Sequence, residues 1–70
     1  LEIGTVESFD KEKGFGFIAL ENGDKAFVHY TVIQSEEYKT LEVNEKVRLM
    51  VADGPKGLIA VKVFREEAEV

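Results

Sequence analysis

The chain has 70 residues, nine Lys or Arg against fourteen Asp or Glu, and a formal net charge of −5. That length makes one small domain, 1–70, near the lower limit for unaided folding, and the absence of cysteine excludes disulfides, iron–sulfur clusters and thiolate metal sites. One histidine among scattered carboxylates argues against a metal or other cofactor, and the apolar runs are too short for a membrane helix.

No signal peptide pattern is visible, so a cytoplasmic location is expected. The acidic balance runs against the usual basic character of nucleic-acid binders. Charges farther apart than about 8 Å are largely screened at physiological salt, so the arrangement around a site matters more than the total.

Residues 3–9, "IGTVESF", read as a first strand with Val6 inward, and 10–14, "DKEKG", as a charged turn ending in glycine. Residues 15–20, "FGFIAL", read as a second strand. "ENGD" at 21–24 contains Asn22-Gly23, the strongest short hairpin signal. "KAFVHY" at 25–30 is then a third strand, antiparallel to the second. Thr31 with Gln34 has the spacing of a capping box and predicts one helical turn over 31–34, with Val32 and Ile33 packing inward. A polar loop over 35–45 is interrupted by Tyr38, Leu41 and Val43.

"KVRLMVA" at 46–52 alternates Val47, Leu49 and Val51 as a fourth strand, and "DGPKG" at 53–57 is a turn by composition. "LIAVKVF" at 58–64 is a fifth strand, with Ile59, Val61 and Val63 as the expected inward set. Five short strands without a long helix predict an all-β domain closed into a small barrel, which removes exposed sheet edges. Should the chain ends meet, Glu2 would approach Glu66, Glu67 and Glu69, and salt would stabilise the fold.

Alternation then poses a question of function. Successive side chains of a strand point to opposite faces, so if Ile18 and Val28 line the core, Phe15, Phe17, Phe27 and His29 face outward. One reading inverts the faces and makes the rings the core, which would bury His29 among three phenylalanines and put Gly16 in solvent. A second makes the patch a protein-interaction surface. The third is a stacking platform for single-stranded nucleic acid, since every base has a flat π-face worth about 1–3 kcal/mol on an aromatic ring. Gly14 and Gly16 would then leave the backbone between the rings uncluttered for close-lying bases, and Lys13 would stand at the strand entrance to meet a phosphate.

At these residues the chain resembles the cold-shock domain family in its bacterial form. "KGFGFI" at 13–18 and "FVHY" at 27–30 look like the family's paired ribonucleoprotein motifs, and the likeness runs from "LEIG" to about Val63. The resemblance implies a five-stranded antiparallel OB-type Greek-key barrel. It also implies a protein that binds single-stranded RNA and DNA and loosens RNA secondary structure, the work of an RNA chaperone. By that likeness Phe15 and Phe17 match the stacking rings of the first motif and Phe27, His29 and Tyr30 those of the second. Tyr38 matches the loop aromatic, Phe9 the ring ending strand one, and Lys13 the lysine that contacts phosphate.

The departures lie mainly in strand one. Where the family usually has Lys-Trp-Phe, this chain has Glu7, Ser8 and Phe9, and Thr5 stands where lysine is frequent. A lost ring forfeits a factor of about 5 to 150 in affinity, so the expectation is a weaker binder than is typical, relying more on stacking than on charge. An RNA-recognition-motif domain would need two packing helices, for which no stripe is present outside the acidic tail. A protein-interaction module on the same barrel is the alternative from another class. With no cysteine and no nucleophile beside an identifiable base, an enzyme is not expected. A monomer is assumed.

Overall fold

Asp10 and Asn22 shape the first two turns. The computed structural model describes residues 1–34 and 40–65; Tyr38 and the acidic tail with Glu66, Glu67 and Glu69 lie outside the described residues. Strand β1 (Glu2–Asp10) reverses into β2 (Phe15–Leu20). The reversal is held by Asp10 Oδ1, which accepts from the backbone N–H of Glu12 and Lys13, each at 3.0 Å. Gly14 completes it at φ 81°, a left-handed conformation that favours glycine. From β2 to β3 (Lys25–His29) the chain turns through 21–24. There Asn22 Oδ1 accepts from Asp24 N–H at 2.9 Å and Gly23 takes φ 98°.

Beyond β3 a 3-10 turn (Tyr30–Val32) leads into the two-residue strand β4 (Ile33–Gln34). Helical geometry thus begins at Tyr30, and the expected capping box does not form. His29 is the cap: its Nδ1 accepts from Thr31 N–H at 3.4 Å and lies 3.0 Å from Thr31 Oγ1. Gln34 Nε2 instead donates to the Val32 carbonyl at 3.0 Å. The histidine ring is already pointed toward the first free N–H of the turn, so the threonine hydroxyl has no orphan donor to serve.

The last two long strands, β5 (Lys46–Gly54) and β6 (Gly57–Arg65), form a hairpin closed by Pro55 and Lys56. The strand order is β3-β2-β1-β5-β6-β4, and β3 also pairs β6. That extra pairing closes the barrel of five long strands. Neighbours along the sheet from β3 to β6 are antiparallel, as expected, while the closing seam is parallel: Ala26 lies opposite Leu58 and Phe27 opposite Ile59. Residues 33–34 extend it, pairing parallel with Val63 and Phe64.

The core is built from every long strand and from two connections. Val6, Ile18, Ala26, Val28, Val47, Leu49 and Val63 are sealed, joined by Leu20, Ala60, Ile33 and Leu41. Of the loop residues flagged in the sequence, Leu41 is therefore core, whereas Val43 is exposed. At about 25 cal/mol per Å² of apolar surface removed from water, each such Leu, Ile or Val contributes roughly 1.5–3 kcal/mol. Glu45 and Arg65 fasten the last strand: Arg65 Nε and Nη2 donate to the two carboxylate oxygens at 2.7 and 3.1 Å.

The inward set expected for the fifth long strand is corrected. Ile59 and Val61 are 36% and 39% exposed, and Ala60 and Val63 face the core instead. The cause is a bulge. Ala60 lies opposite Val51 and Lys62 opposite Met50, so Val61 is an extra residue that shifts the alternation between them. A second bulge sits at Glu7 in β1, between the pairs Val6–Ile18 and Ser8–Phe17. It turns both Glu7 and Ser8 outward.

Candidate nucleic-acid interface

Strands β2 and β3 set the rings side by side. Phe15 lies opposite His29 and Phe17 opposite Phe27, with Gly16–Val28 between these pairs and Ile18–Ala26 just beyond them, both on the inner face. The Phe17 and Phe27 ring centroids are 5.8 Å apart at 74°, and Phe15 reaches diagonally to Phe27 at 5.7 Å and 34°. Phe15, Phe17 and Phe27 are 37%, 44% and 36% exposed, while Ile18 and Val28 are fully sealed. The reading in which the rings form the core is thereby overturned.

Three of the other sequence-selected residues, Phe9, His29 and Tyr30, lie on the same or adjoining strands and turn. His29 and Tyr30 pack ring on ring at 4.7 Å and 34°. Tyr30 N–H donates to the Gly14 carbonyl at 2.8 Å, tying the end of β3 to the first turn. Phe9 is half-buried against the core and, with Ser8, Asp10, Phe15 and Phe17, lines a shallow depression beside the rings. Lys13 lies in the exposed turn before Phe15, its N–H held by Asp10. Tyr38 falls outside the described residues.

The two glycines have a role different from the one expected. A Cβ on Gly16 would stand 2.6 Å from Phe9 Cα and would collide with the Ser8 carbonyl, so the missing side chain lets β1 approach β2 on the inner face. It does not clear the outer face for bases. A Cβ on Gly14 would meet the Tyr30 ring at 2.6 Å, so this glycine gives the tyrosine its seat.

A groove of about 520 Å³ continues the ring surface across the closing seam, lined by Phe17, Lys25, Phe27, Lys56, Leu58 and Ile59 among others. Sequence reasoning missed the two lysines and Ile59. The alternation that selects Phe27 and His29 also places Lys25 on their face, two residues earlier, so that signal was present. Nothing local announces Ile59, which arrives through the parallel pairing with Phe27. Lys25 Nζ is 3.1 Å from Glu7 Oε2, an exposed ion pair reaching from β3 over β2 to the β1 bulge. At the far side of the first turn Lys11 Nζ meets Glu42 Oε2 at 2.7 Å. That hydrogen bond, and then the lysine's charge, lower the Glu42 pKa below the ordinary carboxylate value, against a small opposing effect of desolvation.

Among the described residues, no three His, Asp or Glu side chains are grouped to hold a metal ion, and no helix is long and apolar enough to cross a membrane.

A five-strand barrel closed by a parallel seam, with aromatic rings on its outer face, is an OB-type domain. Residues 2–66 match the family described as 'Cold-shock' DNA-binding domain. The chain is 49% identical to Cold shock protein CspC of Bacillus subtilis, over 90% of this chain and 96% of that one. It is 44% identical to Cold shock-like protein CspLB of Listeria monocytogenes, over 93% and 98% of the two chains. A solved structure of drosophila Unr superposes with a TM-score of 0.75 at 25% identity, covering 94% of this chain and 26% of that longer one. The chain belongs to the cold-shock domain family, whose members generally bind nucleic acid.

Proposed function

We propose that this protein binds single-stranded RNA or DNA by stacking unpaired bases on Phe15, Phe17, Phe27, His29 and Tyr30. Phe9 extends the surface, Lys13 meets a phosphate, and Tyr38 is the further stacking residue that the family likeness assigns. It acts as a monomeric RNA chaperone in the cytoplasm, a single domain spanning 1–70 that binds without catalysing a reaction. Holding bases unpaired shifts RNA away from its folded forms, because a ligand that prefers one state draws the population toward it.

The observation that carries the reading is the ring cluster itself. Phe27 meets both Phe15 and Phe17 across adjacent strands and all three remain more than a third exposed, while their alternate neighbours Ile18 and Val28 are sealed. A merely structural cluster would gain by sinking inward. The predominance of stacking over charge fits the acidic total. Ser8 presents a hydroxyl beside Phe17 in place of a ring, and Glu7 places an anion nearby; both support a binder weaker than is typical.

Those same two residues favour a second reading, in which the barrel has become a protein-interaction module. Titration of labelled oligothymidine at low salt separates the two. The stacking reading expects saturable binding that collapses when Phe17 and Phe27 are both changed to alanine with the fold intact. No binding at about several hundred micromolar, weaker than any platform of three or four stacked bases should be, overturns it. For the chaperone step, melting of a labelled RNA hairpin should move to lower temperature as protein is added.

A further inference from the structure

Lys25 occupies an unusual place for a paired lysine. It shares the outer face of β3 with Phe27 and His29, and it stands on the rim of the groove that continues the ring surface. Lys56, on the β5–β6 turn, lines the same groove. A strand stacked on Phe27 and Phe17 and continuing away from His29 would enter this groove, which Lys25 and Lys56 both line. Among the described residues, Lys25 is the one of Lys13, Lys25 and Lys56 that has an ion pair. Its partner is Glu7, the extra residue of the β1 bulge.

We propose that Lys25 is a phosphate-binding residue whose site Glu7 fills in the free protein, so that a phosphate of the incoming strand takes the place of the Glu7 carboxylate. This rests on the single-strand reading above and names a contact within it. The chemistry of the two occupants is alike. A carboxylate oxygen and a phosphate oxygen are both anionic acceptors for the same ammonium donor, and the Glu7 oxygen at 3.1 Å stands where a phosphate oxygen would sit.

The pair is suited to exchange. Both side chains are about half exposed, 59% for Lys25 and 45% for Glu7, so the attraction between them is weak and screened. The bulge makes the arrangement possible. An unbulged β1 would not carry an additional outward side chain at this point, and Glu7 is the residue the bulge adds. Glu7 therefore lowers affinity by competing for one lysine, over and above any general repulsion of the strand.

A double-mutant cycle with labelled oligothymidine tests this, using the wild type, Glu7→Gln, Lys25→Gln and the double variant across a salt series. Both changes are at exposed positions, and thermal melts check that each of the four proteins is folded. Glu7→Gln is expected to tighten binding about two- to fivefold, the worth of one exposed ion pair. In the Lys25→Gln background the same change is expected to give less than about half that gain. With Glu7 already replaced, Lys25→Gln should flatten the log–log salt slope by about 0.7, one phosphate contact on a single strand.

An equal gain with and without Lys25 overturns the proposal, because Glu7 would then act by its charge alone. So does the absence of any gain. If the wild type does not bind at all, the single-strand reading itself falls; if it binds through Phe17 and Phe27 but the cycle shows no coupling, only the exchange does.

Discussion

Phe27 faces Phe17 across the β2–β3 pair with ring centroids 5.8 Å apart, and the same ring meets Phe15 at 5.7 Å and the groove on its other side. It is the hinge of the aromatic surface. Phe27→Ala is expected to weaken oligothymidine binding about 5- to 150-fold, toward the upper end, and Phe17→Ala by a smaller factor in the same range. Losing two ring contacts also costs Phe27→Ala roughly 1–3 kcal/mol of stability. Fluorescence titration beside urea denaturation measures both effects, and equal affinity losses for the two variants would contradict the ranking.

Ser8 points outward opposite Phe17 and borders the shallow depression beside Phe9 and Phe15. Ser8→Trp therefore adds a ring next to existing ones without entering the core. The expected outcome is tighter binding by about 5- to 150-fold, the worth of one more stacked base. An unchanged dissociation constant would show that this edge of the surface is not used.

Gly16 is where the barrel tolerates least. A methyl group there meets the Ser8 carbonyl and Phe9 Cα, both backbone, which cannot move aside as a flexible side chain would. Gly16→Ala is expected to destabilise the fold by about 3 kcal/mol, the upper end for overpacking. The measure is the urea midpoint, and a shift of zero would place β1 farther from β2 than the geometry does.

Glu42 gives a dependence on acidity. Its pKa is lowered in the folded protein by the hydrogen bond and charge of Lys11. A lowered folded value favours folding at pH above the ordinary carboxylate range, and that contribution is lost as pH falls through the lowered value. Replacing Lys11 with glutamine should raise the Glu42 titration midpoint toward the ordinary range, read by NMR of its carboxyl carbon. The stability gap between wild type and variant should close in acid. A midpoint unmoved by the substitution would remove the lysine as its cause.

How much of this was legible in advance can be followed residue by residue. Asn22-Gly23 announced the hairpin, and strict alternation through 15–18 and 27–28 sent Phe15, Phe17 and Phe27 to one face and Ile18 and Val28 to the other. Those same two motifs carry the resemblance to the cold-shock domain family, to which the chain belongs. Alternation fails in the last long strand: Ile59 and Val61 read as core and face solvent. The sequence marks His29 as a stacking ring and gives no sign that it caps the 3-10 turn, a duty set by where β3 ends.

The hairpins and the faces of β2 and β3 follow from local sequence, because a two-residue period and a glycine turn are properties of neighbours along the chain. Where the alternation breaks is set by long-range strand pairing. The bulges at Glu7 and Val61 add one residue each where strands bend and twist in a closed barrel, and that placement depends on partners far away in sequence. The parallel seam likewise brings Ile59 to Phe27, and the Glu7 bulge brings an anion to Lys25. Long-range strand pairing created those contacts, and no local pattern could encode them.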